Sequence, residues 1–169
     1  MQQMPRSILA AACSLAAAIA VAAPAAAQGL AVTHRITAAV ANQLVADAVT
    51  ACKEQGYNVT AVVLDTDGVR QAVLRGDGAG IATPRVAYDK AFTSVATRTD
   101  TGALVERFKT TPPSQFFLKE PHLLLLQGAL VIKAGDETVG AIGVSGAPGG
   151  DKDEACAKSA LHKAAGQLK

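Results

Sequence analysis

The chain has 169 residues, of which half are apolar, 18% are charged and 4% are aromatic. Its 16 Lys and Arg side chains nearly balance its 14 Asp and Glu side chains, which gives a formal net charge of +2 at pH 7. This length is typical of one domain. Because the charge is nearly balanced and the chain has no Trp, it lacks the basic surface and the stacking platforms of a nucleic-acid-binding protein.

The first 27 residues have the pattern of a secretory signal peptide. Arg6 precedes an Ala-rich apolar stretch that ends near Val21, and three alanines before Gln28 supply a cleavage site. The stretch is a poor match to the roughly 20 strongly apolar residues of a spanning helix. We therefore expect residues 28–169 to form a single periplasmic or secreted domain, with no membrane insertion after cleavage.

Two cysteines, Cys52 and Cys156, lie in the predicted mature chain. An exported location permits them to pair, and closing a loop of about 105 residues would stabilise the protein by roughly 4–5 kcal/mol in the chain-entropy model. The alternative is a pair of small buried apolar residues on helix faces. The two cysteines are therefore a disulfide candidate.

The mature chain begins with a predicted helix from Thr37 to Gln55. Apolar residues recur there at every fourth position, and Thr37 is a suitable N-cap. Two runs rich in β-branched residues follow, at 59–64 and 69–74, and they are separated by Asp-Thr-Asp-Gly. Because Asp-Gly supplies the positive φ of a tight turn, these runs predict a β-hairpin.

Helices and an irregular segment are predicted in the middle of the chain. Thr83 is the predicted N-cap of a helix that runs to about Thr97, with Pro at its first position, and Thr101 is the predicted cap of a shorter helix through Phe108. The segment 110–127 contains three prolines and a run of four leucines. We interpret it as a loop plus a short edge strand.

A second hairpin and a final helix are predicted at the C-terminal end. The strands are residues 129–134 and 138–145, and the helix is capped by Asp151 or Asp153 and runs through Leu168. Hairpins outnumber strand-helix alternations in this order of elements. The order therefore predicts an α+β fold with an antiparallel sheet flanked by helices.

The end of the last predicted strand contains an incomplete match to a serine-hydrolase motif. The stretch Gly-Val-Ser-Gly-Ala around Ser145 resembles a nucleophile elbow, but Ala replaces the final Gly and a Gly/Pro-rich stretch follows instead of a helix. Asp151 or Asp153 together with His162 could complete a triad in the right order. Helix capping alone explains these aspartates, so we assign no catalytic residue and expect a binding protein more than an enzyme.

The three histidines stand apart in the sequence, which disfavours a dedicated zinc site. His122 is the best-placed candidate for a metal ligand, because it follows Pro121 among large apolar side chains of the irregular segment. Such surroundings suit a flat apolar cofactor. An ordinary contact between subunits would use the same residues.

Two stretches carry a resemblance to a known family. The string Gly-Ala-Ile-Gly-Val-Ser-Gly at 140–146, with the Ala-Pro-Gly-Gly-Asp-Lys-Asp-Glu that follows it, resembles the C-terminal signature of the GlcG/HbpS-like haem-binding family. The helix segment Ala-Tyr-Asp-Lys-Ala-Phe-Thr at 87–93 resembles that family's Ala-x-x-Lys-Ala-x-Thr helix. The resemblance extends over about residues 36–165.

The resemblance implies a profilin-like α/β sandwich with a central antiparallel sheet, related to a domain found beside corrinoid adenosyltransferases. It also implies assembly into homo-oligomers and binding of haem or a related tetrapyrrole for sequestration, transport or sensing. The alternative function is that of an oligomeric profilin-like protein that binds a different small molecule or a protein partner.

A haem site needs an iron ligand and basic or hydroxyl side chains for the propionates. His122 is the candidate iron ligand, and Arg85, Lys90 and Thr93 are the candidate propionate contacts. For Arg85 the alternative is an i,i+4 ion pair with Asp89. For Lys90, which matches the family's helix, a contact between subunits or a solvated charge is the alternative.

Overall fold

The computed structural model describes Gly29 and residues 31–169. The predicted signal peptide lies outside the described residues. Among the helices of the described part, none is long and apolar enough to cross a bilayer.

Five α-helices, four β-strands and a short 3-10 helix form in the described residues. In chain order they are α1 (Ala38–Glu54), β1 (Thr60–Asp65), β2 (Arg70–Arg75), α2 (Thr83–Thr97), α3 (Thr101–Phe108), α4 (Gln115–Lys119), β3 (Ala129–Ala134), β4 (Glu137–Ser145), α5 (Gly150–Ala164) and the 3-10 turn Ala165–Gln167.

The four strands form one antiparallel sheet in the order β2-β1-β4-β3. All six residues of β1 are buried, because helices cover both faces of the sheet. Ala61 and Val63 pack into a core with α1 and α5, whereas Val62 and Leu64 pack against α2. The alternation of side chains along a strand therefore divides the core into two layers, and the predicted antiparallel α+β architecture is confirmed.

Helix α2 lies unusually close to strand β4. A Cβ atom added at Gly143 would stand 2.2 Å from the Ala87 carbonyl oxygen and 3.0 Å from the Ala91 side chain. The absence of a side chain at Gly143, together with two fully buried alanines on α2, permits this contact. The face of α2 that points away from β4 is thereby held at a fixed distance from the sheet.

Helices α1 and α5 are joined by a disulfide bond. Cys52 and Cys156 are both fully buried, and their Cα atoms are 5.4 Å apart across a sequence separation of 104 residues. Of the two alternatives that the sequence leaves open, the structure has the disulfide. The bridge links the first helix of the domain to the last.

Several boundaries differ from the prediction. Thr37 caps α1, and its hydroxyl accepts from the Val40 N–H as expected. Thr83 and Thr101 are each the first helical residue instead of the cap. Neither Asp151 nor Asp153 caps α5, whose N-cap is Gly149.

The predicted edge strand in residues 110–127 is wrong. The segment contains the short helix α4, where the Ser114 hydroxyl caps the chain by accepting from the Phe117 N–H at 3.2 Å. Phe116 and Leu118 are largely exposed. The segment lies along α2 instead: the Leu124 N–H donates to the Thr93 hydroxyl at 2.7 Å, and the sheet has its four strands without it.

Candidate functional site

His122 has a strained backbone conformation. Its φ is +71°, in the left-handed region that residues other than Gly rarely adopt. The fully buried Thr93 hydroxyl holds the segment in place, because it accepts from the Leu124 N–H at 2.7 Å and lies 3.4 Å from the His122 carbonyl oxygen. Thr93 in turn is anchored on α2, where its hydroxyl donates to the Asp89 carbonyl oxygen at 2.8 Å.

The imidazole of His122 is paired with the buried carboxylate of Asp89. The Nδ1 atom lies 2.8 Å from Oδ1 of Asp89, whose side chain is 8% exposed, while the His122 side chain is 47% exposed. Since an ionised carboxylate only accepts hydrogen bonds, Nδ1 carries the proton in this contact. In the neutral ring the lone pair is then on Nε2, which is free to bind a ligand.

Aromatic and cationic groups surround this pair. The rings of Tyr88 and Phe92 meet the His122 ring edge-on, with centroids 5.3 Å and 5.8 Å away. The Arg70 guanidinium lies over the Tyr88 ring, 4.0 Å from its centroid, and Arg85 donates to Oδ2 of Asp89 at 3.3 Å. We refer to these six residues, Arg70, Arg85, Tyr88, Asp89, Phe92 and His122, as the His122 cluster.

Three of the four predicted site residues belong to or adjoin this cluster. His122 and Arg85 are part of it, and Arg85 also forms the ion pair with Asp89 that its spacing allowed. Thr93 adjoins the cluster, because its hydroxyl accepts from the backbone N–H of Leu124. Lys90 has a different environment: it is 3% exposed, and its ammonium donates to Asp153 at 2.7 Å and to the Val144 carbonyl oxygen at 3.1 Å.

The buried ion pair of Lys90 and Asp153 was not expected from the sequence. Burial raises the pKa of the Asp153 carboxyl, and the hydrogen bond from Lys90 opposes this shift. The second oxygen of Asp153 accepts from the Ala147 N–H at 2.9 Å. Asp153 therefore ties α5 to α2 and to the loop after β4, a larger role than helix capping.

Sequence reasoning also missed Tyr88, Phe92 and the role of Asp89. A signal for them exists, because Arg85, Tyr88, Asp89 and Phe92 have the spacing i, i+3, i+4, i+7 and share one stripe of α2. No local signal exists for Arg70, which comes from the first hairpin.

The possible catalytic triad is not assembled. Asp153 is bonded to Lys90 instead of to a histidine, and His162 lies in the last turn of α5. Among the described residues, the Ser145 hydroxyl has no hydrogen-bond partner.

The donor set of the His122 cluster would fit a ligand to haem iron. A histidine that donates one ring N–H to a carboxylate has its tautomer and orientation set, which is how proteins commonly present this residue to a metal. Tyr88 and Phe92 offer apolar edges to a flat ring, and Arg85 offers a cation to a propionate. These residues could hold haem on an open face of the domain.

The fold and this cluster define a small α+β domain in which a half-exposed histidine is held by a buried carboxylate. Residues 36–162 match the family described as "Haem degrading protein HbpS-like". The chain therefore belongs to the HbpS-like family.

Solved structures agree with this assignment. The crystal structure of HbpS is 33% identical with a TM-score of 0.76, covering 83% of this chain and 98% of that one. A double mutant of HbpS from Streptomyces reticuli is 35% identical with a TM-score of 0.74, covering 84% and 97%. The haem complex of PduOC has the same fold at 20% identity, with a TM-score of 0.69 and coverage of 76% and 94%. No curated protein matches the chain.

Proposed function

We propose that this protein is an exported haem-binding protein that sequesters, transports or senses haem, with His122 as an iron ligand. The observation that carries the proposal is the Asp89–His122 pair, 2.8 Å apart on an exposed face. The family description, which names haem, and the haem complex of a protein with the same fold support it.

Each residue of the cluster has a separate role in this proposal. His122 supplies Nε2 to the iron, and Asp89 holds the ring in place from its Nδ1 side. Tyr88 and Phe92 lie against the porphyrin edge, while Arg85 and Arg70 attract the propionates. These propionates are acidic and carry the negative charge of the cofactor.

Thr93 and Lys90 contribute less directly. Thr93 is fully buried, so we assign it to the position of the His122 backbone. The Lys90 ammonium is bonded to Asp153. The propionate contact predicted for Lys90 stays a prediction.

Export and self-assembly are further parts of the proposal. Export directed by residues 1–27 would deliver the domain to an oxidising compartment, which agrees with its disulfide. Phe116, Leu118 and Leu126 are 71%, 61% and 50% exposed, and a contact between copies would cover them. Mass spectrometry of the exported protein should find an N-terminus at Gln28, and light scattering should find a homo-oligomer.

A haemin titration followed by absorbance tests the haem proposal. The wild-type protein should give a saturable, stoichiometric Soret shift, and His122→Ala should abolish it. Asp89→Asn should weaken haem binding by about 10–100-fold, because the ring loses its anionic partner. His162→Ala removes a surface histidine elsewhere on the domain and should bind haemin like the wild type.

Two results would refute the assignment. Uptake equal to that of an albumin-like control for non-specific binding would exclude a specific haem site. Saturable binding that is unchanged in His122→Ala would place the iron ligand elsewhere. Loss of the Soret band on addition of peroxide, or of a reductant together with O2, that is faster than the loss from free haemin would add haem degradation, the activity in the family's description.

A second candidate function is the binding of a different small molecule. A cavity of about 410 Å³ lies between the C-terminal end of α1 and β2, where it is lined by Val49, Tyr57 and Leu74 among others. Its lining residues are separate from the His122 cluster. Failure of the haemin titration would favour this site or a protein partner.

A further inference from the structure

The two edges of the sheet, β3 and β2, differ in how their backbone groups are bonded. At the β3 edge the Thr101 hydroxyl accepts from the Ala129 N–H and donates to the Ala129 carbonyl oxygen. The Asp100 carboxylate accepts from the Val131 N–H at 2.9 Å. Side chains at the start of α3 therefore cover the β3 edge.

The β2 edge turns backbone groups outward at Val73 and Arg75. The Gly76 N–H bonds to the Val59 carbonyl oxygen at 2.9 Å, so the backbone of Gly76 points toward β1. Because residues of an antiparallel pair alternate in this respect, Leu74 also bonds to β1, whereas Val73 and Arg75 point away. Within residues 31–169 these outward groups have no hydrogen-bond partner, and such an edge is a template for a further strand.

The side chains of β2 leave apolar surface on both faces of the sheet. Val73 is 48% exposed and Leu74 is 38% exposed, and consecutive residues of a strand lie on opposite faces. On its face, Leu74 is one wall of the cavity of about 410 Å³, together with Val49 and Tyr57. A strand added at this edge would therefore gain apolar contacts on both faces as well as backbone hydrogen bonds.

We propose that β2 pairs with the β2 strand of a second copy of this chain, antiparallel and across a two-fold axis at Leu74. Val73 of each copy then lies opposite Arg75 of the other, and their outward groups bond to each other. The two Leu74 side chains meet at the axis, beside the cavity. The two sheets become continuous, with both His122 clusters on the same face. This inference rests on the self-assembly in the proposed function and is independent of haem.

The residues of β2 favour a second copy in this register. Leu74 opposite Leu74 is an apolar pair at the close, non-hydrogen-bonded position of the ladder. An axis at Val73 would set Arg75 opposite Gln71, which lies at the irregularity of the β1–β2 ladder. An axis at Arg75 would set two arginines opposite each other, which is destabilising. The strand is therefore self-complementary about Leu74, as a two-fold interface requires.

Amide hydrogen exchange, measured by NMR, tests the pairing. At concentrations where light scattering finds an assembly, the amides of Val73 and Arg75 should be protected from exchange, although they have no partner within their own chain. Dilution to the monomer should expose these two amides. The Leu74 amide bonds to β1 and should stay protected, which shows that the strand itself is intact. Fast exchange at Val73 and Arg75 in the assembled protein would overturn the proposal.

Charged substitutions at Leu74 test the two-fold axis. Leu74→Lys and Leu74→Glu each place like charges opposite each other at the axis, so each should lower the mass found by light scattering to half that of the wild type. An equal mixture of the two variants should restore the mass, because an ammonium then faces a carboxylate. A mixture that stays at the lower mass would overturn the assignment of the axis to Leu74.

A matched control separates this interface from other contacts between copies. Leu118→Lys makes the same change at an exposed leucine of α4 and should leave the Val73 and Arg75 amides protected. Assembly that survives Leu74→Lys but is lost in Leu118→Lys would overturn the β2 interface and keep the self-assembly of the proposed function. A wild type that is monomeric at every concentration would overturn both. Leu74→Lys should bind haemin like the wild type, since Leu74 lies outside the His122 cluster, so the haem proposal is tested separately.

Discussion

Removal of the disulfide should cost a large fraction of the stability of the domain. The bridge joins residues 104 positions apart, and closing a loop of about 105 residues in the unfolded chain corresponds to about 4–5 kcal/mol. Cys52→Ala with Cys156→Ala also removes two sulfur atoms from a fully buried place, which adds about 1 kcal/mol. The double variant should therefore lose about 5–6 kcal/mol of the roughly 5–15 kcal/mol typical of a domain.

Urea unfolding at 25 °C measures this loss. The oxidised wild type, the reduced wild type and the double variant should be compared by their extrapolated free energies of unfolding. Reduction alone should account for about 4–5 kcal/mol. In thermal unfolding the same change should lower Tm by about 8–20 °C. Reductant should have no effect on the double variant, which serves as the control.

A difference below about 1 kcal/mol in the free energy of unfolding between the oxidised wild type and the double variant would refute this reasoning. Such a difference is smaller than the loop-closure contribution that the chain-entropy model gives. The unfolded chain would then already hold α1 and α5 close together without the bridge.

Three other expectations concern the packing of α2 and α5. Lys90→Met leaves the Asp153 charge buried without its partner, so urea unfolding should show a loss of about 3–5 kcal/mol in the free energy of unfolding. The double variant Lys90→Met with Asp153→Asn should restore part of that free energy. Equal losses in the single and the double variant would contradict the ion pair. Because burial raises the pKa of Asp153 from 3.8, the folded state keeps this proton to higher pH than the unfolded state. The stability of the wild type relative to Asp153→Asn should therefore fall as pH rises from about 4 through the folded pKa, and a rise over that range would reverse the assignment. Gly143→Ala places a Cβ 2.2 Å from the Ala87 carbonyl oxygen and should cost about 1–3 kcal/mol or more in urea unfolding, whereas Gly166→Ala, which meets nothing within 4 Å, should be nearly neutral.

Most elements of the fold were predictable because their signals are local. The four-residue repeat of α1 and the β-branched runs of the two hairpins each identify their element without reference to the rest of the chain. The segment 110–127 was not predictable in this way. Its leucine run has the composition of a strand, but the Leu124 N–H bonds to the Thr93 hydroxyl of α2, a contact that no local pattern reveals.

The candidate site was predictable in part. His122 could be singled out from its apolar neighbours in the sequence, and Arg85 and Thr93 from the helix that precedes it. The carboxylate that holds His122 could not be assigned, because Asp89 is 33 residues away and already had a plausible partner in Arg85. Arg70 reaches the cluster through the first hairpin, which no spacing along the chain reveals.

The sequence by itself determined the order of helices and strands, the antiparallel class of the sheet and the resemblance to the family that the comparisons confirmed. Those properties follow from periodicity, turn chemistry and motif spacing, which act over a few residues. The tertiary structure alone decided that Cys52 and Cys156 are bonded, that Lys90 is buried against Asp153 and that Asp89 orients His122. Each of these joins elements that are far apart in the chain: α1 and α5, α2 and α5, and α2 and the loop after α4. Their approach is set by packing and not by neighbours in the chain.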